Sequence, residues 1–133
     1  MRGDYATDPA FLQSSLVGFT YFPGWRMSWC NHAESLNDAP LRMRYTSLDP
    51  AAEYKIRVVY AGDSARTHLR LLANNSVEVH PYVAKQRPVR PVEFAIPRSA
   101  TATGKLELSW YRDLGLGGNG RGCQVAEVWL IKK

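Results

Sequence analysis

Two segments of the chain match fragments of catalytic motifs, but neither fragment has the surroundings that its chemistry requires. Residues 115–120 satisfy the G-x-G-x-x-G pattern of dinucleotide-binding loops. That chemistry needs a helix directly after the loop, whereas here a strand-like segment rich in β-branched residues follows. His32 and Glu34 match half of the zinc-deaminase signature, and the P-C-x-x-C half is missing. The sequence also lacks a nucleophile elbow, a His-Glu-x-x-His helix and a phosphate-binding loop, so no motif indicates catalysis.

Side chains suited to holding a ligand without reacting with it are more abundant. Aromatic rings offer flat apolar surfaces, and arginine and asparagine offer planar hydrogen-bonding groups. Several lie in the aromatic segment of residues 1–40 or in loops, where a rigid scaffold displays binding residues. Trp25 and Trp29 suit packing as well as binding, and Arg121 could bind a carboxylate bidentately or anchor loop carbonyls. The candidate ligand contacts are Trp25, Trp29, Tyr82, Tyr111, Arg112, Asn119 and Arg121.

Carboxylates and cysteines raise the question of a metal ion or a disulfide. Carboxylate oxygens suit a hard cation such as calcium, although scattered carboxylates are also commonly solvated surface charges. The four candidate ligands, Glu34, Asp38, Asp63 and Glu127, do not have the spacing of an EF-hand. The two cysteines, Cys30 and Cys123, lie too far apart in sequence for a metal knuckle. They either bond to each other in an exported protein or are two separate buried thiols.

Length and charge restrict the classes of protein and partner. The chain has 133 residues, the size of one domain. Its formal net charge of +5 fits an anionic partner and equally serves solubility. The basic residues are dispersed, and no apolar run reaches the length of a membrane span, so we expect neither nucleic-acid nor membrane binding. The N-terminal residues lack the apolar core of a signal peptide, so the protein is either cytoplasmic or, as we expect, a module of a longer exported protein, secreted or periplasmic.

Period-two alternation of apolar and polar residues from residue 41 onward predicts the elements that would position these side chains. Residues 1–40 read as loops with short strands, and residues 41–133 as the strands of the core. Trp110 alternates with leucines and is predicted to lie in the core. Trp129 lies on the opposite face of the closing strand, where it is either covered by the aromatic N-terminal segment, as we expect, or a platform on the surface. The predicted strands are 41–45, 54–60, 68–73, 77–80, 92–96, 105–110 and 124–131, which together favour an all-β sandwich or jelly roll.

The order of these strands carries a family resemblance. Residues 54–62 (Tyr-Lys-Ile-Arg-Val-Val-Tyr-Ala-Gly), 91–96 (Pro-Val-Glu-Phe-Ala-Ile), 104–110 (Gly-Lys-Leu-Glu-Leu-Ser-Trp) and 124–130 (Gln-Val-Ala-Glu-Val-Trp-Leu) follow one another with a glycine-rich loop before the last. This pattern resembles malectin-like and galactose-binding-like β-sandwich domains, and more specifically the modules appended to bacterial polysaccharide-degrading enzymes. The resemblance covers roughly residues 41–133 and concerns strand patterns, which are more informative about fold than about the bound sugar.

The resemblance implies a non-catalytic carbohydrate-binding module with a structural calcium ion, next to a covalent neighbour domain. On this hypothesis Trp25, Trp29 or Tyr111 stacks on a sugar of a plant or algal polysaccharide, an acidic one given the charge. Arg112 and the loop residues would then hydrogen-bond the sugar hydroxyls. One alternative is a small polysaccharide lyase or hydrolase that uses tyrosine, histidine and arginine. Another is a structural accessory domain that packs against a catalytic domain and binds no glycan.

Overall fold

The structure, a computed structural model, describes residues 8–20, 32–62, 67–114 and 121–133, with only the backbone for Phe19, Thr20 and Arg121. These residues form strands joined by turns, together with one short helix. The strands are β1 Val17–Thr20, β2 His32–Leu36, β3 Leu41–Tyr45, β4 Tyr54–Val59, β5 Leu69–Ala73, β6 Val77–Val83, β7 Val92–Ile96, β8 Leu106–Arg112, β9 Arg121–Val125 and β10 Glu127–Lys132, and helix α1 is Arg98–Thr101.

Antiparallel pairing arranges the strands into three sheets. The four-stranded sheet has the order β3-β8-β5-β6, and the two three-stranded sheets have the orders β10-β4-β7 and β1-β2-β9. Only Ala126 separates β9 from β10, so one stretch of chain passes from one three-stranded sheet into the other. Near the N-terminus, Phe11 bridges to Met43 and so lies along the free edge of β3. The all-β sandwich expected from the alternation pattern is confirmed.

The larger of two hydrophobic clusters among the described residues joins the sheets. In β3, Leu41 and Met43 are buried while Arg42 and Arg44 between them are exposed, because successive side chains of a strand point to opposite faces. The same alternation in β8 buries Leu106, Leu108 and Trp110, and Trp110 is only 1% exposed. The prediction that Trp110 lies in the core is therefore confirmed.

Three strand predictions differ from the structure by two residues or more at their ends. Strand β6 continues through Pro81 to Val83, which the sheet tolerates because β6 is an edge strand and needs no donor on its free side. The predicted closing strand is two strands, β9 and β10. Strand β8 was expected to end at Trp110 but continues through Tyr111 and Arg112, because both residues pair with β5.

The expectation that Trp129 is covered is wrong. Its side chain is 43% exposed, while its neighbour Val128 in β10 is 1% exposed and packs into the core. Within the described residues no helix has the length and hydropathy needed to span a bilayer.

Candidate functional site

The two tyrosines predicted to bind a ligand, Tyr82 and Tyr111, lie on the outer face of the four-stranded sheet, on either side of one arginine. Tyr111 of β8 is the direct partner of Arg70 of β5, so the two side chains project from the same face. The Cζ atom of Arg70 lies 5.9 Å from the centroid of the Tyr82 ring of β6. We call this surface the tyrosine face, formed by Arg42, Arg44, Arg70, Glu78, Tyr82, Glu107 and Tyr111.

An irregular pairing of β5 with β6 brings Tyr82 onto this face. The register shifts between Leu69 and Leu71, opposite the segment that contains Pro81 and Tyr82. A shift of this kind bends an edge strand and changes the direction of its side chains. Tyr82 is 39% exposed and its ring reaches the guanidinium of Arg70. Tyr111 is half-buried, so less of its side chain than of Tyr82 is open to solvent.

Ion pairs fix the arginines of the tyrosine face. Arg70 donates from Nε to Oε2 of Glu78 at 2.9 Å, and Arg44 donates from Nη2 to Oε2 of Glu107 at 2.9 Å. Nη1 of Arg42 lies 3.7 Å from the other oxygen of Glu107. Exposed pairs of this kind contribute little to stability, so their main effect is to orient the guanidinium groups. With three arginines against two glutamates, the face carries an excess of positive charge.

Sequence reasoning missed Arg70, the residue that joins the two tyrosines. Alternation in β5 predicts only that Arg70 points away from the buried Leu69 and Leu71. Its position beside Tyr111 depends on the pairing of β5 with β8, and in the sequence these two strands are separated by β6, β7 and α1. That pairing is not visible in any local pattern.

Arg112, also predicted to contact the ligand, is buried instead. It is the last residue of β8, and its side chain is only 2% exposed. Its Nε donates to Oδ1 of Asp38 at 2.9 Å, which ties the turn after β2 to the end of β8. The predicted loop position was wrong because β8 is two residues longer, and alternation then directs Arg112 to the core side. In this arrangement Arg112 supports the fold.

The three described carboxylates of the predicted calcium site each accept a hydrogen bond from another side chain. Glu34 accepts a hydrogen bond from Nε2 of Gln124 at 2.6 Å, and Glu127 accepts a long one from Nε1 of Trp129 at 3.4 Å. Asp38 accepts from Arg112. Within residues 8–20, 32–62, 67–114 and 121–133, no three His, Cys, Asp or Glu side chains are grouped as metal ligands. Asp63 lies outside the described residues, so a calcium ion stays a prediction.

A buried polar network surrounds Gln124. Nζ of Lys85 donates to Oε1 of Gln124 at 2.6 Å and to the carbonyl of Ala61 at 2.8 Å. Lys85 is 5% exposed, although its sequence neighbourhood suggests a basic surface. The amide of Gln124 thus links Glu34 in β2 to Lys85, which precedes Gln124 by 39 residues in the sequence. The network holds the loop after β6 against β9.

Cys123, next to Gln124 in β9, is a free and buried thiol. Burial raises its pKa to about 12, and so the thiolate form is scarce at neutral pH. A buried thiol of this kind acts as a small apolar side chain in the core. Cys30 lies outside the described residues.

The four remaining predicted contacts are not among the side chains that the structure describes. Trp25, Trp29 and Asn119 lie outside the described residues. Arg121 begins β9, and only its backbone is described. Their proposed contacts with a ligand stay predictions.

Comparisons with known proteins reveal one relevant structure. No protein-family model and no curated protein sequence matches the chain. The native structure of a family 35 carbohydrate binding module from Clostridium thermocellum is similar, with a TM-score of 0.53 over 89% of each chain and 12% sequence identity. At this level of identity the likeness shows a shared β-sandwich fold.

Proposed function

We propose that this chain is a non-catalytic carbohydrate-binding module whose tyrosine face holds a polysaccharide. Tyr82 and Tyr111 stack against sugar rings, and Arg70 between them donates hydrogen bonds to hydroxyl or carboxylate groups. The observation that carries the proposal is the placement of Arg70, which pairs with Tyr111 and lies 5.9 Å from the Tyr82 ring. The fold shared with a carbohydrate binding module supports the same conclusion.

The dimensions of the tyrosine face suit an extended ligand. Tyr111 lies on β8 and Tyr82 on β6, with β5 between them. Two strand spacings separate the tyrosine backbones by about 10 Å, which is wider than one pyranose ring. A polymer crossing the strands would therefore meet both rings and the guanidinium of Arg70.

The charge of the chain favours an acidic glycan. Three arginines against two glutamates on the tyrosine face, and a net charge of +5 overall, attract carboxylated polysaccharides such as those of plants or algae. An arginine fork binds a carboxylate bidentately, which adds specificity for uronic acids. We further propose that Trp25, Trp29, Asn119 and Arg121 extend the binding surface. In its natural setting the module would belong to a longer exported enzyme, and a calcium ion would be structural.

Titration calorimetry with acidic and neutral oligosaccharides tests the proposal. Tyr82→Ala and Tyr111→Ala should each weaken binding about tenfold, the equivalent of 1.4 kcal/mol, because each removes one stacking surface. Leu16→Ala is the control, since Leu16 is 48% exposed and precedes β1 in a different sheet. It should leave the affinity unchanged.

Two outcomes would reject different parts of the proposal. Failure of the unmodified chain to bind any glycan on a broad array rejects the function. Glycan binding that survives unchanged in a folded Tyr82→Ala/Tyr111→Ala double variant rejects the tyrosine face as its site.

A further inference from the structure

The sheet on the other side of the core also exposes a tryptophan next to an arginine. Trp129 of β10 is the direct partner of Arg57 of β4, and Arg57 is the direct partner of Glu93 of β7. Directly paired residues project from one face, so the three side chains form a row across the sheet. Ile131 and Lys55 form the neighbouring row. We call the surface of these five residues the tryptophan face.

The ring of Trp129 is the main apolar feature of this face. It is 43% exposed, although tryptophan is usually well buried. Its Nε1 donates to Oε2 of Glu127, two residues earlier on the same side of β10. This contact engages the polar edge of the indole, and part of the ring remains open to solvent.

Arg57 is the available cation of the face. Lys55 is already paired, because its Nζ donates to Oε2 of Glu93 at 2.9 Å. Arg57 is exposed, and its guanidinium makes no hydrogen bond or ion pair within 4 Å in the described part of the chain. The hydrogen bond from Lys55, followed by the charges of Lys55, Arg57 and Lys133, holds the pKa of Glu93 below its ordinary value. Three cations, Lys55, Arg57 and Lys133, therefore lie near two carboxylates, Glu93 and Glu127, which leaves an excess of positive charge for another anion.

We propose that the tryptophan face is a second glycan-binding surface, on which Trp129 stacks on a sugar ring while Arg57 binds a carboxylate or sulfate of the same polymer. This inference rests on the proposed function for the kind of ligand, and it uses residues separate from the tyrosine face. Arginine provides the planar fork that such anions require, and a neighbouring aromatic ring supplies the apolar contact.

The composition of the face favours an anionic sugar over a protein partner. Protein interfaces have an apolar centre from which charged residues are depleted. Here one exposed ring is surrounded by Arg57, Lys55 and Glu93, with the half-buried Ile131 beside them. A sugar ring with one charged substituent matches this combination of a single stacking surface and a single available guanidinium.

The test uses oligogalacturonate as the acidic probe and neutral galactan oligosaccharides for comparison. In the Tyr82→Ala/Tyr111→Ala background, the remaining binding of oligogalacturonate should weaken about tenfold with Trp129→Ala and again with Arg57→Gln. Arg90→Gln is the matched control, because Arg90 is also exposed and its loss changes the net charge equally. It should change the affinity less than twofold. All replaced side chains are exposed or half-buried, and thermal melting verifies that each variant is folded.

Three results overturn the second surface while leaving the proposed function intact. One is wild-type binding that disappears completely in the Tyr82→Ala/Tyr111→Ala background. Another is residual binding that Trp129→Ala leaves unchanged, and the third is an equal effect of Arg57→Gln and Arg90→Gln, which would indicate general electrostatic attraction. Absence of binding in the unmodified chain would instead overturn both proposals.

Discussion

In the interior of the sandwich, the side chains of Trp110 in β8, His80 in β6 and Tyr60, which directly follows β4, form one hydrogen-bonded network. Nε1 of Trp110 donates to the hydroxyl of Tyr60 at 2.9 Å, and that hydroxyl donates to Nε2 of His80 at 2.6 Å. Nδ1 of His80 donates to the carbonyl of Pro81 at 2.7 Å. Because a carbonyl only accepts, the proton of the neutral ring is on Nδ1 and Nε2 is the acceptor. All of these hydrogen bonds can form together only while His80 is neutral.

Acid should therefore weaken the fold through His80. Burial lowers the pKa of His80 below its ordinary value of 6.5. In the unfolded chain the imidazole takes up its proton near that value, so as pH falls below about 6.5 the unfolded state binds more protons and stability declines. We expect the free energy of unfolding, measured with urea, to fall between about pH 6.5 and pH 5.

Substitutions separate this effect from the titration of other groups. His80→Gln should lower stability at neutral pH but flatten its dependence on pH in the same interval. His68→Gln is the control, because His68 is exposed and pairs with Asp113 on the surface. The carboxyl groups whose pKa is lowered, Asp49, Glu93 and Asp113, lose their contribution at lower pH. An unchanged slope in His80→Gln would contradict the assignment.

At the level of the elements, the turn between β5 and β6 closes a hairpin and also contacts helix α1 and strand β8. Asn74 and Asn75 both have positive φ, at 52° and 63°. The side chain of Asn74 also donates to the carbonyl of Ala100 at 2.8 Å and accepts from the backbone N–H of Glu107 at 2.9 Å. It thereby connects the hairpin to helix α1 and to the start of β8.

Asn74→Ala should destabilise the protein more than the same change at the next residue. Both alanine variants incur the strain of a left-handed backbone, about 1 kcal/mol. Only Asn74→Ala also loses two hydrogen bonds, worth about 1 kcal/mol each. Chemical denaturation should place Asn74→Ala roughly 2 kcal/mol below Asn75→Ala. Equal losses in the two variants would show that the side-chain bonds of Asn74 contribute nothing.

At the scale of the whole molecule, the two proposed binding faces belong to sheets that enclose the same core. The tyrosine face belongs to the four-stranded sheet and the tryptophan face to the sheet of β10, β4 and β7. Since each face lies on the side of its sheet away from the core, the two faces point in opposite directions. One rigid unit could then hold two polymer chains at once.

Such a unit should cross-link a long acidic polysaccharide. Mixing the protein with polygalacturonate should raise light scattering at intermediate ratios of protein to polymer, because the two faces then bind different polymer chains. Short oligogalacturonate should reverse the increase by competing for both faces. Trp129→Ala and Tyr82→Ala/Tyr111→Ala should bind the polymer without increasing the scattering. Scattering as strong in either variant as in the unmodified chain would show that cross-linking does not need both faces.

Local patterns in the sequence were sufficient to predict the all-β class, the core position of Trp110 and the strand at residues 41–45, because a strand's alternation repeats every two residues. Tyr82 and Tyr111 could be chosen as candidates from residue type and position. Their meeting at Arg70 depended on the pairing of strands distant in sequence, as did the burial of Arg112 and Lys85. The exposure of Trp129 likewise depended on what packs over a sheet face. These features required the tertiary structure, since contacts between distant segments leave no periodic signal in either segment.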